Sequence, residues 1–313
     1  MIIDLLFFLV SLFTLVKSAE YAVGFASKIA KVFKLSEFIV SFFIISFISC
    51  FPEATVAIVS AFEGIPEFGL GALLGSNVAD LCFVFGIAAA VSLNGIRVKS
   101  EVLKNDLYYL TLLLIPIILG IDSNFSRLDG VILILSGLAF FAVLSMQSRL
   151  FTRKYNHASD KRWALNLFLL VIALVILIIS AYFTVEFGVA FAGDVGIPSF
   201  LIALTLISVG TCMPELVFSL KAVKTGHDEL ALGDVLGTVV IDATIIVGVI
   251  ALINPFSFSP STIYVTGILM LLSGYLLFYL IKSKGSLTRK DGIYLLLFYL
   301  VTLLIEIYIN YLS

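Results

Sequence analysis

Ser49-Cys50-Phe51-Pro52-Glu53 and Thr211-Cys212-Met213-Pro214-Glu215 are one motif written twice, each time inside a long apolar run. A charged side chain at bilayer depth costs roughly 3 kcal/mol or more, so a carboxylate kept there marks a functional site. The proline removes a backbone donor, and each motif therefore predicts a helix broken just before its glutamate. Working outward, a shift of 162 residues lays Glu53 on Glu215, and with it Gly64 on Gly226, Gly71 on Gly233, Gly75 on Gly237, Asp80 on Asp242 and Gly86 on Gly248. Ser18-Ala19 falls on Ser180-Ala181, and no gap is needed between residues 18 and 86. The chain reads as two homologous halves.

Composition fixes the solvent. Of the 313 residues, 61% are hydrophobic and 13% charged, and the mean hydropathy is +1.17. That is a polytopic, all-α membrane protein, its lipid bilayer a partner by necessity. The net charge of −2 says nothing about nucleic acid, but no basic domain exists, and no nucleic-acid partner is expected. Three cysteines in apolar context, without a CxxC pair, do not make a disulfide framework. The N-terminal run lacks a basic leader and carries Asp4, so it reads as a helix rather than a signal peptide. Apolar windows predict ten transmembrane helices at 2–30, 36–62, 69–94, 103–121, 127–147, 163–193, 197–223, 229–253, 262–281 and 291–311. The polar stretch 148–162 links a five-helix repeat over 1–147 to another over 163–313.

Five is odd, so consecutive halves of five spans lie in opposite orientation, as two inverted repeats. That is the plan of secondary transporters, whose sites sit at the midplane on broken helices. With both termini outside, the inner loops carry Lys28, Lys31, Lys34, Arg97, Lys99, Lys104, Arg149, Arg153, Lys154, Lys161, Arg162, Lys221, Lys224, Lys282, Lys284, Arg289 and Lys290, and the outer loops only Arg127. Seventeen against one sets the orientation and makes 148–162 cytoplasmic, in a multi-pass protein of the cell membrane.

Four acids lie deep in the spans at mirrored places: Glu53, Glu215, Asp80 and Asp242. Lys17 is the only basic residue inside a span and has no mirrored partner. Converging carboxylates without basic partners need cations, and hard cations such as Ca2+ take carboxylate and free carbonyl oxygens. The broken helices offer such carbonyls near Ile48, Ser49, Gly210 and Thr211. Each Asp follows G-x-x-x-G-[ST], read as Gly71…Gly75-Ser76 and Gly233…Gly237-Thr238. The small residues let helices approach closely, and Ser76 and Thr238 set a hydroxyl on the face of each Asp. Glu63 and Glu67 decorate an outer loop, and Asp234, near the cytoplasmic end of its helix, reads equally as an acid that attracts cations at the inner mouth or as a solvated one. No cofactor is called for, only transported inorganic cations, and no pattern in the chain encodes an oligomeric state.

These residues resemble the cation/Ca2+ antiporter superfamily, and within it the prokaryotic Na+/Ca2+ exchanger-like membrane proteins, whose motifs are G-T-S-x-P-E and G-N-x-x-G-S-N-x-x-[ND]. The second half has Gly210-Thr211-Cys212-Met213-Pro214-Glu215 and Gly233-Asp234 through Gly237-Thr238 to Asp242; the first has Ile48-Ser49-Cys50-Phe51-Pro52-Glu53 and Gly71-Ala72 through Gly75-Ser76-Asn77 to Asp80. The resemblance implies a ten-helix antiporter with alternating access. It implies that Glu53 and Glu215 bind Ca2+ in competition with Na+, with Ser49 and Thr211 carbonyls, Ser76 and Thr238 hydroxyls and Asp80 and Asp242 completing the sites. It also implies that the first and sixth spans slide across the core. The family's serine is Cys50 and Cys212 here, and thiols are poor Na+ ligands. With an extra carboxylate at the last position, the departures favour H+ over Na+ as the counter-ion. Alternatives are an ordinary Na+/Ca2+ exchanger or, through the paired thiols, an exchanger of softer metals such as Mn2+, Zn2+ or Cd2+. A cation channel lacks a continuous polar stripe, and an intramembrane aspartyl protease lacks its G-x-G-D signature, since the nearest match is Ala231-Leu232-Gly233-Asp234. The expectation is a transporter, not an enzyme.

Overall fold

In the computed structural model, residues 2–30, 45–92, 95–97, 106–147 and 163–312 are described. Residues 36–44 of the predicted second span, the 148–162 linker, and Lys31, Lys34, Lys99 and Lys104 lie outside them. The described chain is almost entirely helical. Eight of its helices are long and apolar enough to cross a bilayer, running from Ile2–Ala22 at the start to Arg289–Asn310 at the end, and Phe51–Phe62 and Tyr108–Leu119 are shorter apolar helices.

The repeat seen in sequence recurs in the backbone. Ser46–Ser49, a break at Cys50 and Phe51–Phe62 in the first half match Ser208–Thr211, a break at Cys212 and Met213–Lys224 in the second. Pro66–Val78, a π-helical turn Ala79–Val84 and Phe85–Val91 match Asp228–Val240, a π-helical turn Ile241–Ile246 and Val247–Ile253. Between the members of each pair of helices the chain turns on Gly64 (φ +79°) and Gly226 (φ +75°), a backbone region open mainly to glycine.

Two expectations are corrected. The breaks fall at Cys50 and Cys212, two residues before each proline, rather than just before the glutamates. Pro52 and Pro214 each lie in the first turn of the helix that follows, where an N–H has no intrahelical acceptor and its loss is harmless. Four residues back, the carbonyls of Ile48 and Gly210 are met by the N–H groups of the break residues Cys50 and Cys212. Glu67 is not in a loop but in the first turn of the Pro66–Val78 helix, where its carboxylate accepts the Ser259 N–H at 3.2 Å.

The halves interlock. Gly75 lies so close to the seventh span that a Cβ there would overlap the Leu204 carbonyl oxygen and Ser208 Oγ, and one on Gly71 would meet the Phe200 carbonyl at 2.9 Å. The small-residue rows therefore bring the third span against the broken helix of the opposite half. Two short antiparallel ladders repeat the exchange at the helix ends: Ile96–Arg97 pairs with Ser286–Leu287, and Asn124–Phe125 with Phe256–Ser257. Ile2–Ala30 and Trp163–Val195 run against each other, with Phe7 stacked on Phe187 (5.0 Å) and Phe8 on Phe191 (6.2 Å). Much of their remaining surface is apolar and exposed, including Phe13, Phe168 and Ile179, as suits helices facing lipid.

Candidate cation site

The breaks and the π-helical turns face one another at the centre. Glu53 and Glu215 each sit in the first turn after a break, where unpaired N–H groups favour a negative side chain. Asp80 and Asp242 are each the second residue of a π-helical turn, an irregularity that recurs at functional sites. All four carboxyls are fully buried, as are Ser49, Ser76, Cys212, Thr211 and Thr238, with Cys50 only 1% exposed.

The contacts cross between halves. Glu53 lies within reach of Thr211, Asp80 within reach of Cys212, and Ser76 Oγ lies 3.4 Å from Asp242 Oδ2. Ser49 Oγ donates to Asp234 Oδ1 at 2.8 Å and lies 3.1 Å from Thr238 Oγ1. Eight of the ten residues expected at the site thus make contacts across the halves, and all ten are buried. The two thiols hand their protons to backbone carbonyls, Cys50 to Phe47 at 3.3 Å and Cys212 to Ser76 at 3.5 Å.

Charge in the cluster is uncompensated. Among the described residues no lysine or arginine is buried. Both oxygens of Glu53, Glu215 and Asp80, and one each of Asp234 and Asp242, have no hydrogen-bond partner. Lys17 instead pairs with Glu20 at 2.8 Å, with its side chain 46% exposed. Leaving so many buried carboxyl oxygens unpaired is costly unless protons or cations satisfy them. Among the described residues no three His, Cys, Asp or Glu side chains are drawn together closely enough to hold one ion. An ion bound here therefore needs hydroxyl and carbonyl oxygens as well, the donor set that suits a hard cation.

A family model described as sodium/calcium exchanger protein matches residues 3–147 and 165–308. The chain belongs to the sodium/calcium exchanger protein family. Among curated relatives, the sodium/calcium exchanger MaX1 of Methanosarcina acetivorans is 26% identical, over 98% of this chain and 99% of its own length. The putative antiporter CaxA of Alkalimonas amylolytica is 30% identical over 82% of both chains. Solved structures of the sodium-calcium exchanger NCX_Mj share the fold, with a TM-score of 0.71 at 24% identity over 97% of this chain and 98% of that one. The protein is a membrane antiporter of the exchanger family, and its named relatives are transporters, not enzymes.

One member of this exchanger's cluster was misread in the sequence. Asp234 is not a solvated acid at a helix end: it is fully buried and held by Ser49, a fifth carboxyl in the same cluster. It lies a turn and a half into the Asp228–Val240 helix, which is deep enough to be covered by the Ser46–Ser49 segment of the other half. The usable signal was its place directly after Gly233 in the glycine row, which packs inward. Asn77, fully buried with Oδ1 unpaired, also faces inward, its Nδ2 donating to Met270 Sδ at 3.5 Å.

Proposed function

We propose that this family member exchanges a divalent cation, Ca2+ first among them, for H+ by alternating access. The observation that carries the reading is the cluster of five buried carboxyls, Glu53, Asp80, Glu215, Asp234 and Asp242, with no buried lysine or arginine among the described residues. One Ca2+ leaves three of five negative charges unanswered, so protons belong to the loaded site as well as to the empty one. A proton is also the counter-ion that needs no coordination shell, and the serine oxygens that would supply one to Na+ are replaced by thiols. Those thiols donate to backbone carbonyls, which favours hard-oxygen coordination over Zn2+- or Cd2+-selective binding. Na+ coupling, the second reading, is favoured by the names of the relatives. The ligands in this reading are Glu53, Glu215, Asp80 and Asp242, with Ser49, Thr211, Ser76 and Thr238 supplying hydroxyl or carbonyl oxygens, and with Cys50 and Cys212 lining the site.

The same reading assigns ten spans in two inverted repeats, 1–147 and 163–313, joined by a cytoplasmic 148–162 linker, with both termini outside. The ladder pairs support it, because Ile96–Arg97 and Ser286–Leu287 both belong to loops assigned inside, and Asn124–Phe125 and Phe256–Ser257 to loops assigned outside. Ile2–Ala30 and Trp163–Val195, packed on each other at the edge of the core, are the pair that would slide to switch access.

The test is Ca2+ uptake into sealed liposomes driven by acid inside, and separately by Na+ inside. Uptake on the pH gradient that disappears in Asp80→Asn and Asp242→Asn is the expected result. Uptake on Na+ alone replaces H+ with Na+. PH-driven uptake that survives both substitutions removes these aspartates from the coupling.

A further inference from the structure

A second buried carboxyl lies outside the central cluster. Glu306, on the Arg289–Ile307 helix, has no exposed surface. Its Oε2 accepts from Asn310 Nδ2 at 2.8 Å, and its Oε1 has no partner. It faces Thr266 across the last two spans. The hydroxyls of Thr266 and of Thr262, one turn earlier, are buried and also without partners. A string of polar groups leads there from the surface: exposed Ser259 bonds Ser261 at 2.8 Å, and Ser261 Oγ donates to Asn310 Oδ1 at 3.1 Å. Both elements depart from α-helical bonding at this place, in the π-helical turns Thr262–Gly267 and Tyr308–Leu312. The mirrored position in the first half is Leu144, so the cluster is not part of the repeated motif.

A buried carboxylate needs a countercharge, and among the described residues no buried lysine or arginine supplies one. One carboxylate beside the unpartnered Thr266 hydroxyl, with the Thr262 hydroxyl one turn away on the same helix, is a hard-oxygen set of charge minus one. Ca2+ takes six to eight oxygens and usually several carboxylates, so the match is to a monovalent ion. We propose that Glu306, Thr262 and Thr266 form a second cation site, for one hard monovalent ion such as Na+, independent of the central carboxyls.

The test uses the full chain in lipid nanodiscs and radiolabelled Na+. The double variant Glu53→Gln, Glu215→Gln, which cripples the central cluster, is expected to retain saturable Na+ binding. Adding Glu306→Gln to it is expected to weaken that binding by about tenfold or more, and adding Thr266→Val by about threefold. Glu306→Gln alone is expected to keep Ca2+ binding, which reports an intact fold and central site. Na+ binding that is the same with and without Glu306→Gln on the double-variant background overturns the proposal and makes Glu306 a protonated hydrogen-bond donor. If Glu306→Gln also loses Ca2+ binding and so does not fold, the Thr262→Val, Thr266→Val pair decides, and unchanged Na+ binding there overturns the site. Absence of Ca2+ binding in the unaltered protein counts against the exchange reading and not against this site, which is read from Na+ alone.

Discussion

The two halves agree where the backbone bends around the carboxyls and differ where charge is fine-tuned. The breaks at Cys50 and Cys212, the π-helical turns Ala79–Val84 and Ile241–Ile246 and the left-handed Gly64 and Gly226 coincide, and so do Glu53 with Glu215, Asp80 with Asp242 and Cys50 with Cys212. The hydrogen bonds coincide only in part. Ser49 and its counterpart Thr211 each donate at home, to the Ser46 and Ser208 carbonyls at 3.2 Å, but Ser49 also reaches across to Asp234 and Thr238. Where the second half has Asp234, the first has Ala72, whose carbonyl takes Ser208 Oγ at 3.1 Å. The symmetric set buries the mirrored carboxyls. The asymmetric set adds a further buried carboxyl, Asp234, on one side only.

The symmetric set is broken most severely at the glutamates. In the proposed site Glu53→Gln and Glu215→Gln each remove one carboxylate ligand of the hard cation, and an expected loss of about 3 kcal/mol corresponds to roughly a hundredfold weaker Ca2+ binding. Radiolabelled Ca2+ uptake by proteoliposomes measures it. Equal losses are expected from the two variants, and a half that tolerates its substitution would sink the shared-ligand reading.

Next in size is the helix contact that holds the halves together. An alanine at Gly75 drives a Cβ into the Leu204 carbonyl and Ser208 Oγ and to 2.9 Å from Leu204 Cα. Backbone atoms cannot swing aside, so overpacking of about 1–3 kcal/mol follows. Thermal unfolding of the detergent-solubilised protein checks it, with Gly193→Ala, where nothing lies within 4 Å, as the control.

Much of this was legible beforehand. Hydropathy marks spans because a bilayer demands long apolar helices, and the repeat marks the site because four mirrored acids are too costly to be accidental. Asp234 was not legible as a site residue, because hydropathy gives depth along a helix only to within a turn or two, and it stands five residues into the span expected at 229–253. Glu306 escaped for a different reason. It has no mirrored partner, so a search for repeated charge passes over it. The exact point of each break was hidden by proline, which marks where a helix may begin more sharply than where the previous one ends.

Asp234 is the test of asymmetry. Asp234→Ala makes the second half resemble the first at this position, removing one carboxyl and leaving Ser49 without that acceptor. Ca2+ affinity is expected to fall about tenfold, the worth of one charged hydrogen-bonded group at about 1.4 kcal/mol. Asp234→Asn, which keeps an acceptor for Ser49, is expected to fall between. If Asn behaves like Ala, the charge matters and not the hydrogen bond. If neither changes Ca2+ binding, the fifth carboxyl is structural and the two halves are functionally alike.

The smallest effect is expected at the pair that is symmetric in this chain but departs from the family motif. Cys50→Ser with Cys212→Ser replaces two buried thiols by hydroxyls that can donate to the same Phe47 and Ser76 carbonyls. Ca2+ and Cd2+ affinities are expected to stay within about threefold, because a thiol whose proton is held by a carbonyl lends little to a metal. The two new hard oxygens should instead raise the share of uptake that a Na+ gradient drives relative to a pH gradient. A selective loss of Cd2+ affinity beyond about tenfold would make the thiols ligands after all. It would also move the lesson of the two halves from charge number to ligand softness, since the cysteines are identical in both.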